Sequence, residues 1–250
     1  MEIKRRKFQG VLNILSFNRH FYVIGLITLA IIIAGLSLFK VSPLWAWITV
    51  GIFLYGLITP LIVSAYVYDF SGYYTFNWLK TLNLIEAKPK QIININAGFD
   101  ETSFILKNNF PEADLNVFDF YNAKQHTEPA IIRARKVSLM YPNTLQIKSD
   151  EIPLNDKSVD LIFLLSAAHE IRSHKEKVMF LKECHRICKP NGKVITVEHL
   201  RDTPNFLAFS IGFTHFFSRK SWEKSFKEAG YSSVEETKFT PFMSIFNCCP

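Results

Sequence analysis

The sequence predicts an α/β domain built on a doubly wound, mostly parallel sheet and preceded by a two-helix membrane hairpin. Three observations predict it. Two long uncharged apolar runs fill the segment from Phe21 to Tyr68. Beyond residue 90, short runs rich in Ile, Val and Leu alternate with stretches of helical periodicity, the pattern of strands covered on both faces by crossover helices. The first two strand-like runs end on Gly98 and Asp119, at the strand tips where such sheets bind ligands.

The hairpin comes first. Phe21 to Phe39 and Val41 to Tyr68 carry no charged residue, and both reach the ~20 residues that span a hydrocarbon core. Spans are expected over about 21–39 and 44–68, joined by a tight connection at Lys40, Ser42 and Pro43. Pro60 falls inside the second run, where a bend is expected. Trp45, Trp47, Tyr66 and Tyr68 sit near its ends, as interfacial aromatics do. The first run exceeds a secretory h-region, and no small-x-small site follows it before Lys40, so it is read as retained. Lys4, Arg5, Arg6, Lys7 and Arg19 precede it, against Lys40 alone in the connection. The positive-inside rule then holds the N-terminus in the cytoplasm. After two crossings the domain is cytoplasmic too, at the inner membrane in a bacterium. Residues 1–70 are expected to form the anchor and 71–250 the α/β domain.

Within the domain, Ser71 to Glu86 is aromatic and reads as helical. Gln91 to Ala97 is a strand, followed by the turn Gly98-Phe99-Asp100 and a helix from Glu101 to Asn109. Leu115 to Phe118 is a strand ending at Asp119, Thr144 to Lys148 another, and Val159 to Leu165 a third, largely apolar one. Lys175 to Cys188 is amphipathic at helical spacing. Lys189-Pro190-Asn191-Gly192 reads as a turn, then Lys193 to Val197 as a strand. Ser221 to Ala229 is a helix stopped by Gly230. Val234 to Phe246 holds two short strand-like pieces around Pro241.

The formal charge is +7, which suits an anionic membrane surface. No dense Lys/Arg stripe with interleaved aromatics occurs elsewhere, so membrane lipids are the expected partner and nucleic acid is not. The four cysteines, Cys184, Cys188, Cys248 and Cys249, form no disulfide or zinc pattern. Cys184 and Cys188 continue the stripe of Val178 and Leu181 and read as core.

The run from Leu145 to Asp202 carries a series of ordered motifs: Asp150-Glu151-Ile152-Pro153-Leu154, Asp156-Lys157-Ser158-Val159-Asp160-Leu161-Ile162, Ala168-His169-Glu170-Ile171, Leu181 through Lys193, and Val197-Glu198-His199. In this it resembles the class I S-adenosylmethionine-dependent methyltransferases of the quinone-biosynthesis (type 11) kind. The resemblance implies a Rossmann-like sheet and S-adenosylmethionine as cofactor. It also implies a cofactor site at Asn96, Ala97, Gly98, Phe99, Asp100, Asp119, Phe120, Asp150, Glu151, Leu164 and Leu165. Asp119 would take the ribose hydroxyls and Asp150 would approach the adenine. The first motif departs from the family pattern: Asn94 stands for the usual acid, and Asn96, Gly98 and Asp100 stand for three glycines. Residues 98–103 look like a variant used by a membrane-anchored bacterial subgroup.

Methyl transfer needs mainly alignment, with a base only where the acceptor must lose a proton. His169, Glu170, Glu198 and His199 are the catalytic candidates, and Tyr73 and His215 the candidate acceptor contacts. No metal ligands are expected. The expected acceptor is a hydrophobic small molecule, a quinone-like ring or a lipid head group. A catalytically silent membrane scaffold is the alternative that the altered loop raises. A nucleotide-dependent oxidoreductase fits the residues from Leu145 to His199 less well.

Overall fold

The structure is a computed structural model that describes residues 5–82, 84, 86 and 88–250. It opens with a helix not foreseen in the sequence, α1 (Gln9–Phe17), followed by α2 (Arg19–Leu38) and α3 (Pro43–Ala65). The last two are long and apolar enough to cross a membrane. Phe21, Ile24, Ile31, Leu44 and Trp47 stand exposed along them, and Pro60 lies inside α3 without ending it. Of the basic flank, Lys4 falls outside the described residues. The aromatic stretch after Ser71 is not one helix. Gly72 and Phe76 adopt φ of 84° and 54°, left-handed values that break helical continuity. Only a turn at Tyr73–Thr75 and the short α4 (Trp78–Thr81) form among the described residues; residues 83 and 85 of this expected helix lie outside them.

The domain then alternates: β1 (Gln91–Asn96), α5 (Ser103–Asn109), β2 (Asp114–Asp119), α6 (Pro129–Arg135), β3 (Leu145–Gln146), β4 (Val159–Leu165), α7 (His174–Ile187), β5 (Cys188–His199), α8 (Thr203–Phe209), α9 (Arg219–Ala229), β6 (Ser233–Thr240) and β7 (Met243–Cys249). The sheet order is β3-β2-β1-β4-β5-β7-β6. Pairing is parallel from β3 across to β5, while β7 runs antiparallel to both β5 and β6. Chain direction reverses its lateral progress between β1 and β4, so their C-terminal ends open the crevice used for ligands.

Two expectations are corrected. Lys189–Gly192 is not a turn ahead of the strand. It is a bulge within β5, where the register with β4 shifts between Val159 and Leu161. The extra residues are absorbed in the pairing. The strand expected over 144–148 shrinks to two residues, because β3 pairs only with the tip of β2. α6 and α8 were not anticipated.

Alternate side chains of each strand enter two cores. Ile93, Ile95, Ile162, Leu164 and Val194 pack against Phe180, Leu181 and Cys184 of α7 and Trp222 and Phe226 of α9. On the other face, Ile92, Leu161, Phe163, Ile195 and Ile245 meet Trp78, Leu79 and Leu106, together with Val63 of α3 and Val67 just beyond it. The apolar hairpin therefore shares a core with the sheet and is not a tethered appendage. Each fully buried aliphatic side chain contributes roughly 1.5–3 kcal/mol, so the junction is stiff.

Gly192 sits in the bulge where a Cβ would fall 2.7 Å from Cys188 Sγ and 2.8 Å from the Asp160 carbonyl. Gly35 has nothing within 4 Å of such an atom. Gly192→Ala should lower stability by about 1–3 kcal/mol through overpacking, seen as a lower thermal midpoint in detergent. Gly35→Ala should leave the midpoint unchanged or raised.

Candidate active site

The tip of β1 builds a small polar pocket of about 100 Å³, lined by Asn96, Gly98, Asp100, Asp119, Arg135, Ser138, Met140 and Thr144. Gly98 turns the chain with φ of 91°, and its amide donates to Asn96 Oδ1 at 3.0 Å. Asp100 turns one carboxylate oxygen back into the loop. Its Oδ1 accepts from the amides of Thr102 and Ser103 at 2.9 and 3.0 Å, satisfying orphan donors at the start of α5. Asn94 Nδ2 donates to the hydroxyls of the same two residues at 3.0 and 2.8 Å. Asn94 and Asp100 thus serve as struts for α5. Asn96 Nδ2 and Asp100 Oδ2 remain buried without a partner, an unused donor and an unused acceptor. Asp119 is engaged: Oδ1 accepts from the Tyr121 amide at 2.7 Å, and Oδ2 from Arg135 at 2.6 Å. The Arg135 guanidinium also covers the Tyr121 ring and Gly98.

Beside this pocket lies a cavity of about 900 Å³. Its wall runs from Phe17, Phe21, Tyr22, Leu57 and Pro60 on the three N-terminal helices to Leu165, Ser166, His169, Glu170, His199 and His215 in the domain. α1 is bound into this wall by two carboxylates. Asp69 accepts from the amides of Gly10 and Val11 at 2.7 and 3.0 Å. Glu101 accepts from Gln9, Asn13 and Tyr74 and pairs with Arg5 at 2.8 Å.

Where β4 ends, Ser166 takes φ of 50° and a short turn, Ala168–Glu170, swings His169 over β5. There the buried Glu198, 1% exposed, receives it twice. The His169 amide donates to Oε1 at 3.2 Å and Nδ1–H to Oε2 at 2.6 Å. The other ring nitrogen, Nε2, lies 3.4 Å from Glu170 Oε1, and the His215 ring stands edge-on at 5.2 Å. Burial opposes charge on His169, but the carboxylates of Glu198 and Glu170 outweigh it and raise its pKa to about 10. Burial likewise opposes ionisation of Glu170, and the adjacent His169 more than reverses this. His215 is pushed down, by burial first and then by the charge on His169.

His199, at the end of β5, has a different task. Its Nδ1–H donates to the Phe242 carbonyl at 2.9 Å and to Asn205 Oδ1 at 3.1 Å, which leaves Nε2 to accept from Tyr68 at 2.9 Å. These partners assign the tautomer. His199 ties α3's extension to β5 and α8.

Of the residues singled out in the sequence, Asn96, Gly98, Asp100 and Asp119 share the polar pocket. Tyr73, Ala97, Phe99, Leu165, His169, Glu170, His199 and His215 share the cavity, with Glu198 directly behind His169. Four do not join them. Leu164 and Phe120 point to the opposite face and fill the core against α7, since neighbours on a strand alternate sides. Asp150 and Glu151 lie exposed in the turn closed by the Lys148–Glu151 bridge and line neither space. Arg135, Glu101 and Arg172 were missed. Arg135 sits on α6, whose start is marked in the sequence by Pro129 at the first helical position.

Residues 113–196 match the methyltransferase domain family. The chain is 27% identical over 187 residues to a demethylmenaquinone methyltransferase of Bacillus mycoides (strain KBAB4), covering 68% of this chain and 73% of that protein. Among solved structures it is similar to an S-adenosylmethionine-dependent methyltransferase from Aquifex aeolicus, with TM-score 0.51 and 18% identity, over 71% of this chain and 92% of the other. It is also similar to human N-acetylserotonin methyltransferase in complex with S-adenosylmethionine, with TM-score 0.54 and 13% identity, over 95% and 69% of the two chains.

Burial holds His199 neutral and depresses its pKa to about 4, against ~6.5 for a free imidazole. Between these values the unfolded chain takes up a proton that the folded one refuses. Stability from this group is therefore complete above pH ~6.5 and is lost as pH falls toward 4, by about 2 kcal/mol between pH 7 and 5. His199→Asn should flatten the fall in thermal midpoint over that window; an unchanged slope refutes the assignment.

Proposed function

We propose that this chain, a class I methyltransferase in fold and family match, takes its methyl group from S-adenosylmethionine and delivers it to a hydrophobic acceptor resident in the membrane. One observation carries the reading. The cavity wall is continuous from the apolar faces of α2 and α3 to His169 and Glu170. An acceptor in the bilayer would reach the domain without crossing water. The exposed Phe206, Leu207 and Ile211 extend that apolar surface beside α3, where Tyr55 donates to the Leu207 carbonyl at 2.6 Å. The anchor, on this reading, is a two-pass hairpin with the domain on the cytoplasmic side. The similarity to a demethylmenaquinone methyltransferase supports a quinone-type ring over a lipid head group.

The cofactor supplies a sulfonium methyl group that needs alignment more than activation. The chain's residues fit its parts. Asn96 Nδ2 and Asp100 Oδ2, the buried donor and acceptor without partners, suit a zwitterionic amino-acid end. Gly98 leaves the backbone open to close approach. Asp119 suits two ribose hydroxyls once Arg135 withdraws. Toward the acceptor, His169 presents Nε2 as a charged donor on a carboxylate mount. A preorganised cation there favours an acceptor bound as its anion, a phenolate or enolate, and such an anion is the nucleophile that methylation at oxygen or carbon requires. The second reading, a silent methyltransferase-like module, is favoured by the Arg135–Asp119 pair, which closes the ribose position.

Calorimetry with S-adenosylmethionine separates the two. The wild-type chain should bind. Asp119→Ala should lose about 1.5–3 kcal/mol of affinity, and Arg135→Ala should tighten binding several-fold by freeing the carboxylate. Absence of binding heat in the wild type and in Arg135→Ala supports the silent module. For the acceptor, membranes containing the full-length protein and methyl-labelled cofactor should yield label in an apolar extractable product. Gly56→Phe, which fills the cavity between α3 and the domain, should raise KM for that acceptor while leaving cofactor affinity unchanged. Label confined to water-soluble products overturns the membrane acceptor.

A further inference from the structure

We infer that His169, Glu170 and His215 form a binding site for one divalent transition-metal ion in the wall of the large cavity. The site assignment stands on geometry alone. Only the catalytic role given to the ion rests on the proposed transfer to an acceptor oxyanion.

One ligating atom from each of the three side chains lies within 4.8 Å of the other two. That is the spacing of donors around a single ion, since metal–ligand bonds of ~2.0–2.2 Å place neighbouring donors roughly 3–3.5 Å apart after small rotations. All three line the same cavity, so an ion among them keeps an open face. Two imidazoles and one carboxylate with an open position is the donor set of catalytic rather than structural sites.

The surroundings support ligation. His169 donates Nδ1–H to Glu198 Oε2 at 2.6 Å, and Glu198 also takes the His169 amide. A metal-bound imidazole is characteristically mounted in this way, with one ring nitrogen on a buried carboxylate and the other directed at the ion. Glu170 makes no salt bridge to Lys or Arg among the described residues, its ionic partner being His169 Nε2 at 3.4 Å. The two ligand-bearing segments come from distant parts of the chain, and Arg172 fixes their spacing. Its Nη1 donates to the His215 carbonyl at 2.7 Å and to the His169 carbonyl at 3.2 Å, while the guanidinium rests on the Phe217 ring. Glu128 stands 3.8 Å from His215 Nδ1 and orients the third ligand more loosely.

An ion held here would take the place of the Nε2 proton of His169 and, as a Lewis acid, stabilise the acceptor's oxyanion in its stead. Glu198 would be a positioning residue, acting through His169.

The test uses the full-length protein in detergent, stripped with chelator and titrated with Co²⁺ by visible absorption, and with Zn²⁺ by calorimetry. The expected result is a single equivalent of Co²⁺ with ligand-field bands in the visible. His215→Ala and Glu170→Gln should each weaken binding at least about tenfold, and Glu198→Gln by about 10–100-fold. His174→Ala, which removes an exposed His–Glu pair elsewhere, should change nothing and controls for adventitious binding. Absence of saturable binding overturns the site, as does binding that His215→Ala and Glu170→Gln both leave intact. Methyl transfer that persists in chelator with no Co²⁺ bound overturns the metal alone. Co²⁺ binding without methyl transfer overturns the acceptor reading alone.

Discussion

The cluster of titratable side chains in the cavity wall depends on one buried carboxylate. Glu198, near the C-terminal end of β5, accepts both the backbone amide and the Nδ1–H of His169. A carboxylate this buried costs several kcal/mol unless it is paired, so the arrangement is tightly determined. Glu198 fixes the ring's tautomer, directs Nε2 toward the cavity and holds the short turn that carries Glu170. His169 then holds Glu170 ionised, and burial together with the charge on His169 pushes His215 down.

A second constraint is the shared core between the apolar hairpin and the sheet. Val63 and Val67 pack with Ile195, Val197 and Ile245, and His199 bonds to Tyr68 across the junction. Asp69 and Glu101 secure α1 over the opening. The cavity is consequently part of the fold and not a gap between loosely joined parts. One wall is apolar helix and the other is the C-terminal strand edge of an α/β sheet.

The departures in the first motif have a structural reason. Asn94 and Asp100 spend their hydrogen-bonding capacity on Thr102 and Ser103, fastening α5 where close glycine packing would otherwise serve. Gly98 retains the positive φ that the tight turn requires. Asn96 and Asp100, whose Nδ2 and Oδ2 remain unpaired, both line the small polar pocket.

The sequence by itself determined the alternation of strands and helices, the two apolar helices and most strand positions, because these follow from local periodicity and burial. It placed Asn96, Gly98, Asp119, His169 and Glu198 at strand tips, which is where a parallel sheet exposes its ligand edge. It left α6 and α8 unread although Pro129 and the Asp202–Pro204 stretch mark their starts. It took Lys189–Gly192 for a turn because residue type alone does not distinguish a turn from a bulge held by a neighbouring strand. Which of Leu164 and Leu165 faces the cavity, the capture of Asp119 by Arg135, and the meeting of His169 with His215 were decided only by tertiary structure. Each depends on side-chain direction or on contacts between segments far apart in the chain, and no local pattern encodes either.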